Sequence, residues 1–149
     1  VPDSNVWVSA MIWGGLPAWI VEAAEDGRIS VMVSEEIVEE IGRILSYPRL
    51  REIYEGAGVS REELTGAVLQ IGRLVEVKRR ISMIREDPAD DKFLECASDG
   101  GADFVVSGDE HLLRIQRYQR IRTLSVRQFL ELIGESEESS SRYFRDERR

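Results

Sequence analysis

The chain has one cysteine, one histidine and no long hydrophobic run. The single cysteine, Cys96, excludes an internal disulfide and a cysteine-rich zinc site, and it favours a reducing compartment. The stretch "DDKFLECASDGG" predicts that this thiol lies on the buried face of a helix. No segment reaches the roughly 18 apolar residues of a membrane-spanning helix, and the first residues do not form a signal peptide. We therefore expect a cytoplasmic protein.

Positive charge is also scarce. The sequence has 20 lysines and arginines against 28 acidic residues, a net charge of −8. This balance argues against a protein that holds nucleic acid through a broad basic surface. The one histidine, His111, is interpreted as a solvent-facing residue at a helix start rather than as a general base or a metal ligand. No side chain is a convincing nucleophile, so the acids are the residues to examine.

The 149 residues suffice for one domain with a sizeable core. Helical and strand patterns alternate along the chain, which predicts an α/β fold with three α/β/α layers and a mostly parallel central sheet. We place this domain at residues 1–133. The remaining residues, 134–149, include "ESEESSSRYFRDERR", whose composition predicts a charged, flexible tail.

Helix caps and apolar spacing place the individual elements. Ser34, Ser60 and Ser125 are each predicted to be the N-cap of a helix, with Glu63 completing a capping box. The helix after Ser60 is expected to carry one apolar stripe, formed by Leu64, Val68, Ile71 and Val75. Further helices are predicted at "LPAWIVEAAEDG" and "DKFLECAS", and strands at "RISVMV", "DFVV" and Ile121–Leu124.

Acidic residues follow the predicted strands. Asp3 follows the first strand, "SEEIVEE" follows the second, and Asp109 of "SGDEH" follows "DFVV". Ligands of open parallel sheets bind beyond the carboxyl ends of the strands, so these acids are placed to converge. Each acid alone is equally typical of a turn, a solvated helix face or a cap, and the helix macrodipole explains Asp90 and Asp91. The conjunction favours a binding site.

A cluster of carboxylates would favour a divalent cation. Neighbouring carboxylates repel and raise one another's pKa unless a cation lies between them. Oxygen ligands select Mg²⁺ or Mn²⁺, which can activate water and orient a phosphodiester without a nucleophilic side chain. The helix predicted after Ser34 has an apolar stripe that includes Ile37, Ile41 and Ile44. Glu36 and Glu40 share a flank of this stripe, and Glu40 can lie at the edge of the buried face. Whether Glu36 or Glu39 shares the role of Glu40 stays open.

The order of these motifs resembles the PIN-domain family of ribonucleases, and most closely its toxin components of prokaryotic toxin–antitoxin systems. The resemblance covers Val1 to Ile133 and rests on "DSNVWVSAMIWGG", "VSEEIVEEIGRIL", "DPADDKFLECASDGGADFVVSGDEHLL" and "IRTLSVRQFLELI". It implies an endoribonuclease that uses Mg²⁺ or Mn²⁺ to cleave RNA. It also implies a cognate antitoxin as the protein partner and a homodimer as the assembly.

Carried over residue by residue, the resemblance implies catalytic, metal-binding acids at Asp3, Glu40, Asp91 and Asp109. It further implies that Ser4 and Ser107 orient these carboxylates and that Asn5 braces the first loop. Two positions depart from the family pattern. Ser4 replaces the usual threonine, which keeps the hydroxyl, and His111 stands where many relatives carry another acid.

Trp13, in a predicted loop near Asp3, and Arg43 are candidate contacts for RNA bases and phosphates. Trp7 and Trp19 are instead expected in the core. Two other functions stay open at this point. One is an inactive PIN-like module that binds a protein partner, and the other is a phosphatase or receiver-like domain that uses Asp3 as phosphate acceptor. The phosphatase or receiver-like function is less favoured, because the sequence has no clear lysine late in the chain at the end of a predicted strand.

Overall fold

A computed structural model of the chain describes residues 1–84 and 87–134, so most of the predicted tail lies outside the described residues. The described part contains α1 (Ser4–Ile12), α2 (Gly15–Glu25), β1 (Met32–Ser34), α3 (Glu35–Leu45), α4 (Pro48–Gly56), α5 (Arg61–Ile71), β2 (Arg73–Val75), α6 (Asp91–Gly100), β3 (Phe104–Val106), α7 (Glu110–Ile115), β4 (Arg117–Tyr118), β5 (Ile121–Leu124) and α8 (Val126–Leu132). A 3₁₀ turn, Pro88–Asp90, leads into α6.

The strands pair mainly in parallel. β1 pairs with β2, and in the second group the order is β3, β5, β4, with β3 and β5 parallel and β4 antiparallel to β5. The first residues run beside β3, because Pro2 forms a parallel bridge with Val106 and the Asp3 amide donates to the Val106 carbonyl at 2.9 Å. The carboxyl ends of β3, β5 and the N-terminal segment therefore meet at one edge.

Helices cover these strands on both faces, which confirms the predicted three-layer α/β/α fold. On one side, α6 contacts β1, β2, β3 and β5, while α1, α2, α3 and α5 pack on one another. The largest buried side chains include Trp7, Phe93, Ile20, Ile37 and Ile41. Cys96 is fully buried on α6, as predicted, and Trp7 lies in the core, whereas Trp19 is only partly buried.

Local caps set most helix starts. The side chains of Ser34, Ser60 and Ser125 each accept a backbone N–H from the first turn of the following helix, and this confirms the three predicted N-caps. Asp3 is a further cap, because α1 begins directly after it rather than after a loop. The predicted loop at Trp13 is therefore limited to the break between α1 and α2.

The predicted stripe on α5 is wrong at Val75. The helix ends at Ile71, and Val75 lies in β2, paired with Ser34 of β1. The chain leaves the helix at Gly72, whose backbone is extended, and a Cβ there would lie 3.0 Å from the Val68 carbonyl and 3.1 Å from Val33. Val75 has helical spacing in the sequence, but the chain has already turned into a strand.

Among the described residues, no single helix is long and apolar enough to cross a membrane. Helices α1 and α2 meet that test of length and composition only when taken together, and they are bent by 96° at the break between them.

Candidate metal centre

Asp3 is fixed at the edge where the first residues meet β3. Its side chain is 4% exposed, and Oδ1 accepts the Val6 amide at 2.8 Å as the cap of α1. Oδ2 accepts a short hydrogen bond from the Ser107 hydroxyl. Burial raises the pKa of Asp3, these two hydrogen bonds oppose the rise, and Asp109 and Glu40 add to it by repulsion. Asp3 is thus held in one position and lies within the field of two other acids.

Ser107 links Asp3 to Asp109. The serine directly follows β3, is fully buried, and its Oγ accepts the Asp109 amide at 2.8 Å. One hydroxyl therefore donates to the first acid and accepts from the backbone of the second. Asp109 Oδ1 in turn caps α7 by accepting the amides of His111 and Leu112 at 2.7 and 3.3 Å. These contacts support the orienting role expected for Ser107, which stays a prediction.

Three carboxylates form the tightest acidic group of the described residues. One oxygen each from Asp87, Asp90 and Asp109 lie within 4.8 Å of one another, at partly buried positions. Oδ2 of Asp90 is buried and accepts no hydrogen bond from the described residues. Burial, and repulsion by Asp87 and Asp109, raise the pKa of Asp90 to about 7, although Lys92 opposes the rise. Within this group, Asp90 holds the buried oxygen that no described residue satisfies.

Glu40 reaches the same place from α3. Its carboxylate forms an ion pair with Lys92 at 2.7 Å, and it contributes to the raised pKa of both Asp3 and Asp90. The Lys92 side chain is only 8% exposed and also donates to the Ala89 carbonyl at 2.6 Å. Lys92 therefore joins α3 to the start of α6. It also places one positive charge beside the acids.

The other glutamates of α3 lie elsewhere. Glu36 pairs with Arg80 at 2.9 Å, and Arg80 also contacts the buried Glu95 at 3.4 Å. Glu39 is exposed. Of the acids on this helix, Glu40 is the one whose charge acts on Asp3 and Asp90.

These residues fit a divalent cation. The donor atoms are carboxylate oxygens, which are the ligands that Mg²⁺ and Mn²⁺ prefer. The unpartnered oxygen of Asp90 costs free energy as it stands, because buried acceptors are normally satisfied. Repulsion within the group adds to that cost, as the raised pKa of Asp90 indicates. A cation would relieve both penalties.

The structure does not bring Asp91 into this group, which corrects the role expected for it. Oδ1 of Asp91 accepts the amides of Met83 and Ile84, both at 3.0 Å, and the residue is 6% exposed. The 3₁₀ turn that ends at Asp90 directs consecutive aspartates to different neighbours. Asp91 holds the preceding segment against α6, and Asp90 faces Asp87 and Asp109.

The hydroxyl and amide expected beside Asp3 also lie differently. Ser4 is 1% exposed, but its Oγ has no hydrogen-bond partner among the described residues, so it bonds to no carboxylate there. Asn5 is exposed on α1 and does not occupy a buried bracing position. Both differences arise because α1 starts at Ser4, which leaves the capping of this turn to Asp3.

Three further candidates lie on the surface. Trp13 is the C-cap of α1 and is 62% exposed, and Arg43 is exposed in the last turn of α3, so both are accessible to a ligand. His111 lies in the first turn of α7, as expected, with Nδ1 3.8 Å from Oδ1 of Asp109.

Sequence reasoning missed the approach of Asp87 and Asp90 to Asp109 and the participation of Lys92. The run "DPADD" did signal a dense acidic segment, but not which acid faces the edge. A lysine between Asp91 and Phe93, at the start of an otherwise apolar helix face, was the available signal for Lys92.

Comparison with known families agrees with this geometry. The sequence model of the PIN domain matches residues 1–111 of the chain. No curated protein and no solved structure matches the chain. PIN domains are in general metal-dependent nucleases, and the acidic group is compatible with that activity.

Proposed function

The chain belongs to the PIN-domain family, and from that premise we propose that it is a metal-dependent endoribonuclease whose metal ligands include Asp3, Glu40, Asp87, Asp90 and Asp109. The observation that carries the proposal is the buried, unpartnered Oδ2 of Asp90 beside Asp87 and Asp109. A carboxylate oxygen without a donor, next to two more carboxylates, is a ligand position for a hard cation. Asp90 takes the role that the family resemblance gave to its neighbour.

The chain itself would fix the ligands before a cation binds. Ser107 donates to the Asp3 carboxylate and accepts from the Asp109 amide with one hydroxyl, which links these two residues. Lys92 holds Glu40 against the start of α6. When bound, a divalent cation polarises a phosphodiester oxygen and lowers the pKa of water. Preorganised ligands reduce the reorganisation that the reaction would otherwise require.

We propose the finer assignments on narrower grounds. The order of the four acidic motifs supports RNA as the substrate and the toxin role in a toxin–antitoxin pair, with a cognate antitoxin as partner and a homodimer as assembly. The oxygen-only ligand set supports Mg²⁺ or Mn²⁺ as the cofactor.

Cleavage of a fluorescent single-stranded RNA in Mn²⁺, with EDTA as the blank, tests the proposal. Asp90→Asn should lower the rate by at least about 100-fold, since it removes one ligand charge. Glu39→Gln, an exposed neighbour of Glu40 on the same helix, is the matched control and should cleave at the wild-type rate. An Asp90→Asn protein that cleaves normally would overturn the assignment of Asp90 as a metal ligand. A wild-type protein that does not cleave would favour the inactive PIN-like module that binds a protein partner.

A further inference from the structure

Lys92 is a buried lysine at a position that does not favour one. Its side chain is 8% exposed, although lysine is almost never buried without a partner. It also lies in the first turn of α6, where the helix macrodipole favours negative charge and opposes positive charge. Neither the core nor the helix therefore explains this lysine, so the explanation lies in its contacts.

Three neighbours hold the ammonium group of Lys92. Nζ lies 2.7 Å from Oε2 of Glu40 and donates to the Ala89 carbonyl at 2.6 Å. It also lies 5.1 Å from the centre of the Phe93 ring, within the range of a cation–π interaction. Ala89 belongs to the 3₁₀ turn that ends at Asp90. One fixed positive charge thus joins Glu40 of α3 to the turn that carries Asp90.

The acids proposed as metal ligands differ in what already contacts them. Both oxygens of Asp3 accept hydrogen bonds, and Oε2 of Glu40 is paired with Lys92. In the group of three aspartates, by contrast, Oδ2 of Asp90 is buried without a donor among the described residues. The unsatisfied position for a cation therefore lies in that group, whereas the position beside Glu40 already has a positive charge.

A second metal ion at Glu40 would meet the ammonium group of Lys92. Mg²⁺ binds a carboxylate oxygen at about 2.1 Å, and the ammonium group lies 2.7 Å from Oε2, so an ion on that oxygen would lie within about 5 Å of Nζ. Like charges at such a separation repel, and burial reduces the screening by water. Because Ala89 and Phe93 hold the ammonium group, the repulsion acts against the second ion. A cation at Asp90 can still take Oε1, the other oxygen of Glu40.

We propose that Lys92 is the resident second cation of this site: its ammonium group takes the place beside Glu40 that another metal ion would occupy, and the chain binds one divalent cation, at Asp90. Lys92 is then a positioning residue, which orients Glu40 for that cation. This inference rests on the proposed function and adds the number of metal ions and the residue that sets it. A tether between α3 and α6 alone would need no buried charge, because apolar residues of similar volume join helices without the cost of desolvating two ions.

Calorimetric titration of Mn²⁺ into the full chain, followed by electron paramagnetic resonance of the loaded protein, tests the proposal. Wild type should bind one Mn²⁺ per chain and give the spectrum of an isolated ion. Lys92→Met removes the charge and keeps an unbranched side chain. It should bind two ions, with the spin coupling of a pair about 3.5–4 Å apart. Lys92→Arg keeps the charge and should bind one ion. Lys78→Met, at an exposed lysine, changes the net charge as Lys92→Met does and should also bind one.

Two results would overturn the proposal: two ions bound to wild type, or one ion still bound to Lys92→Met. Weaker binding of a single ion by Lys92→Met would show that the lysine only tethers Glu40. If circular dichroism shows that Lys92→Met does not fold, Lys92→Gln takes its place, since glutamine lacks the charge but can donate to the Ala89 carbonyl. Wild type that binds no Mn²⁺ would contradict the proposed metal-dependent activity and this inference with it. The two failures are therefore distinguishable.

Discussion

Two helix starts meet at the edge where β3, β5 and the N-terminal segment end, and they are built in opposite ways. At the start of α1, both oxygens of Asp3 accept hydrogen bonds, one from Val6 and one from Ser107. At the start of α6, Oδ2 of Asp90 is buried without a donor in the described part of the chain. A carboxylate that accepts hydrogen bonds from backbone amides or hydroxyls is held in place by the fold itself. The unsatisfied carboxylate is the one that the fold leaves for a ligand.

Replacing Asp91 by alanine should have the largest effect on stability. The buried amide of Ile84 and the amide of Met83 would lose their acceptor, which costs about 3 kcal/mol for the two groups. Chemical denaturation of the metal-free protein measures this loss. Asp99→Ala is the matched comparison, since Asp99 also accepts two consecutive amides, those of the exposed Lys78 and Arg79, and it should cost less than Asp91→Ala. Equal losses would show that burial of the Asp91 contacts is unimportant.

Ser107→Ala should have the next largest effect, a decrease of about 2 kcal/mol in the free energy of unfolding. The substitution removes the donor to the buried Asp3 and the acceptor of the Asp109 amide. Thermal unfolding should show a decrease in Tm of about 6 °C. Ser125→Ala, which removes a solvent-exposed cap, serves as the control and should lose about 1 kcal/mol. A Ser107→Ala protein as stable as wild type would mean that the Asp3 corner is not held by this hydroxyl.

Asp90→Asn should stabilise the metal-free protein, in contrast to both substitutions above. Removing one charge from the Asp87, Asp90 and Asp109 group relieves repulsion, and solvent screening at this half-buried site limits the gain to about 1 kcal/mol. The Tm in EDTA should rise by about 3 °C, and added Mn²⁺ should then raise it less than in wild type. A lower Tm in EDTA would mean that Asp90 supports the fold.

The smallest expected effect is a pH dependence of the metal-free protein. The folded pKa of Asp90 is about 7, above its ordinary value of 3.8, so the folded state binds a proton that the unfolded state releases between these values. The stabilising contribution is therefore present below pH 3.8 and is lost as pH rises through about 7. The Tm in EDTA should fall by a few degrees between pH 5.5 and 8 in wild type, and less in Asp90→Asn. Identical profiles would contradict the raised pKa.

Local interactions explain what the sequence could predict. Ser34, Ser60 and Ser125 cap helices through backbone groups three residues away, so their role is visible in a short stretch. The α/β/α fold follows from alternating periodicities over the whole chain. The convergence of Asp3 and Asp109 follows from the rule that parallel strands end at one edge.

Long-range geometry explains what the sequence could not predict. A one-residue choice between Asp90 and Asp91 depends on the 3₁₀ turn before α6, and both residues suit a helix start equally well. The burial of Lys92 depends on Glu40, a residue 52 positions earlier that only the fold brings to 2.7 Å. The strand at Val75 was not predicted because the spacing of Val75 from Val68 and Ile71 also continues a helical stripe.

The most direct test of the central claim is a calorimetric titration of Mn²⁺ into wild type, Asp90→Asn and Asp91→Asn. Asparagine at position 91 keeps an oxygen that can accept the Met83 and Ile84 amides, so that variant should fold. We predict that Asp90→Asn weakens Mn²⁺ binding by at least about 30-fold, whereas Asp91→Asn changes it less than about threefold. Loss of binding in Asp91→Asn, with normal binding in Asp90→Asn, would contradict the account.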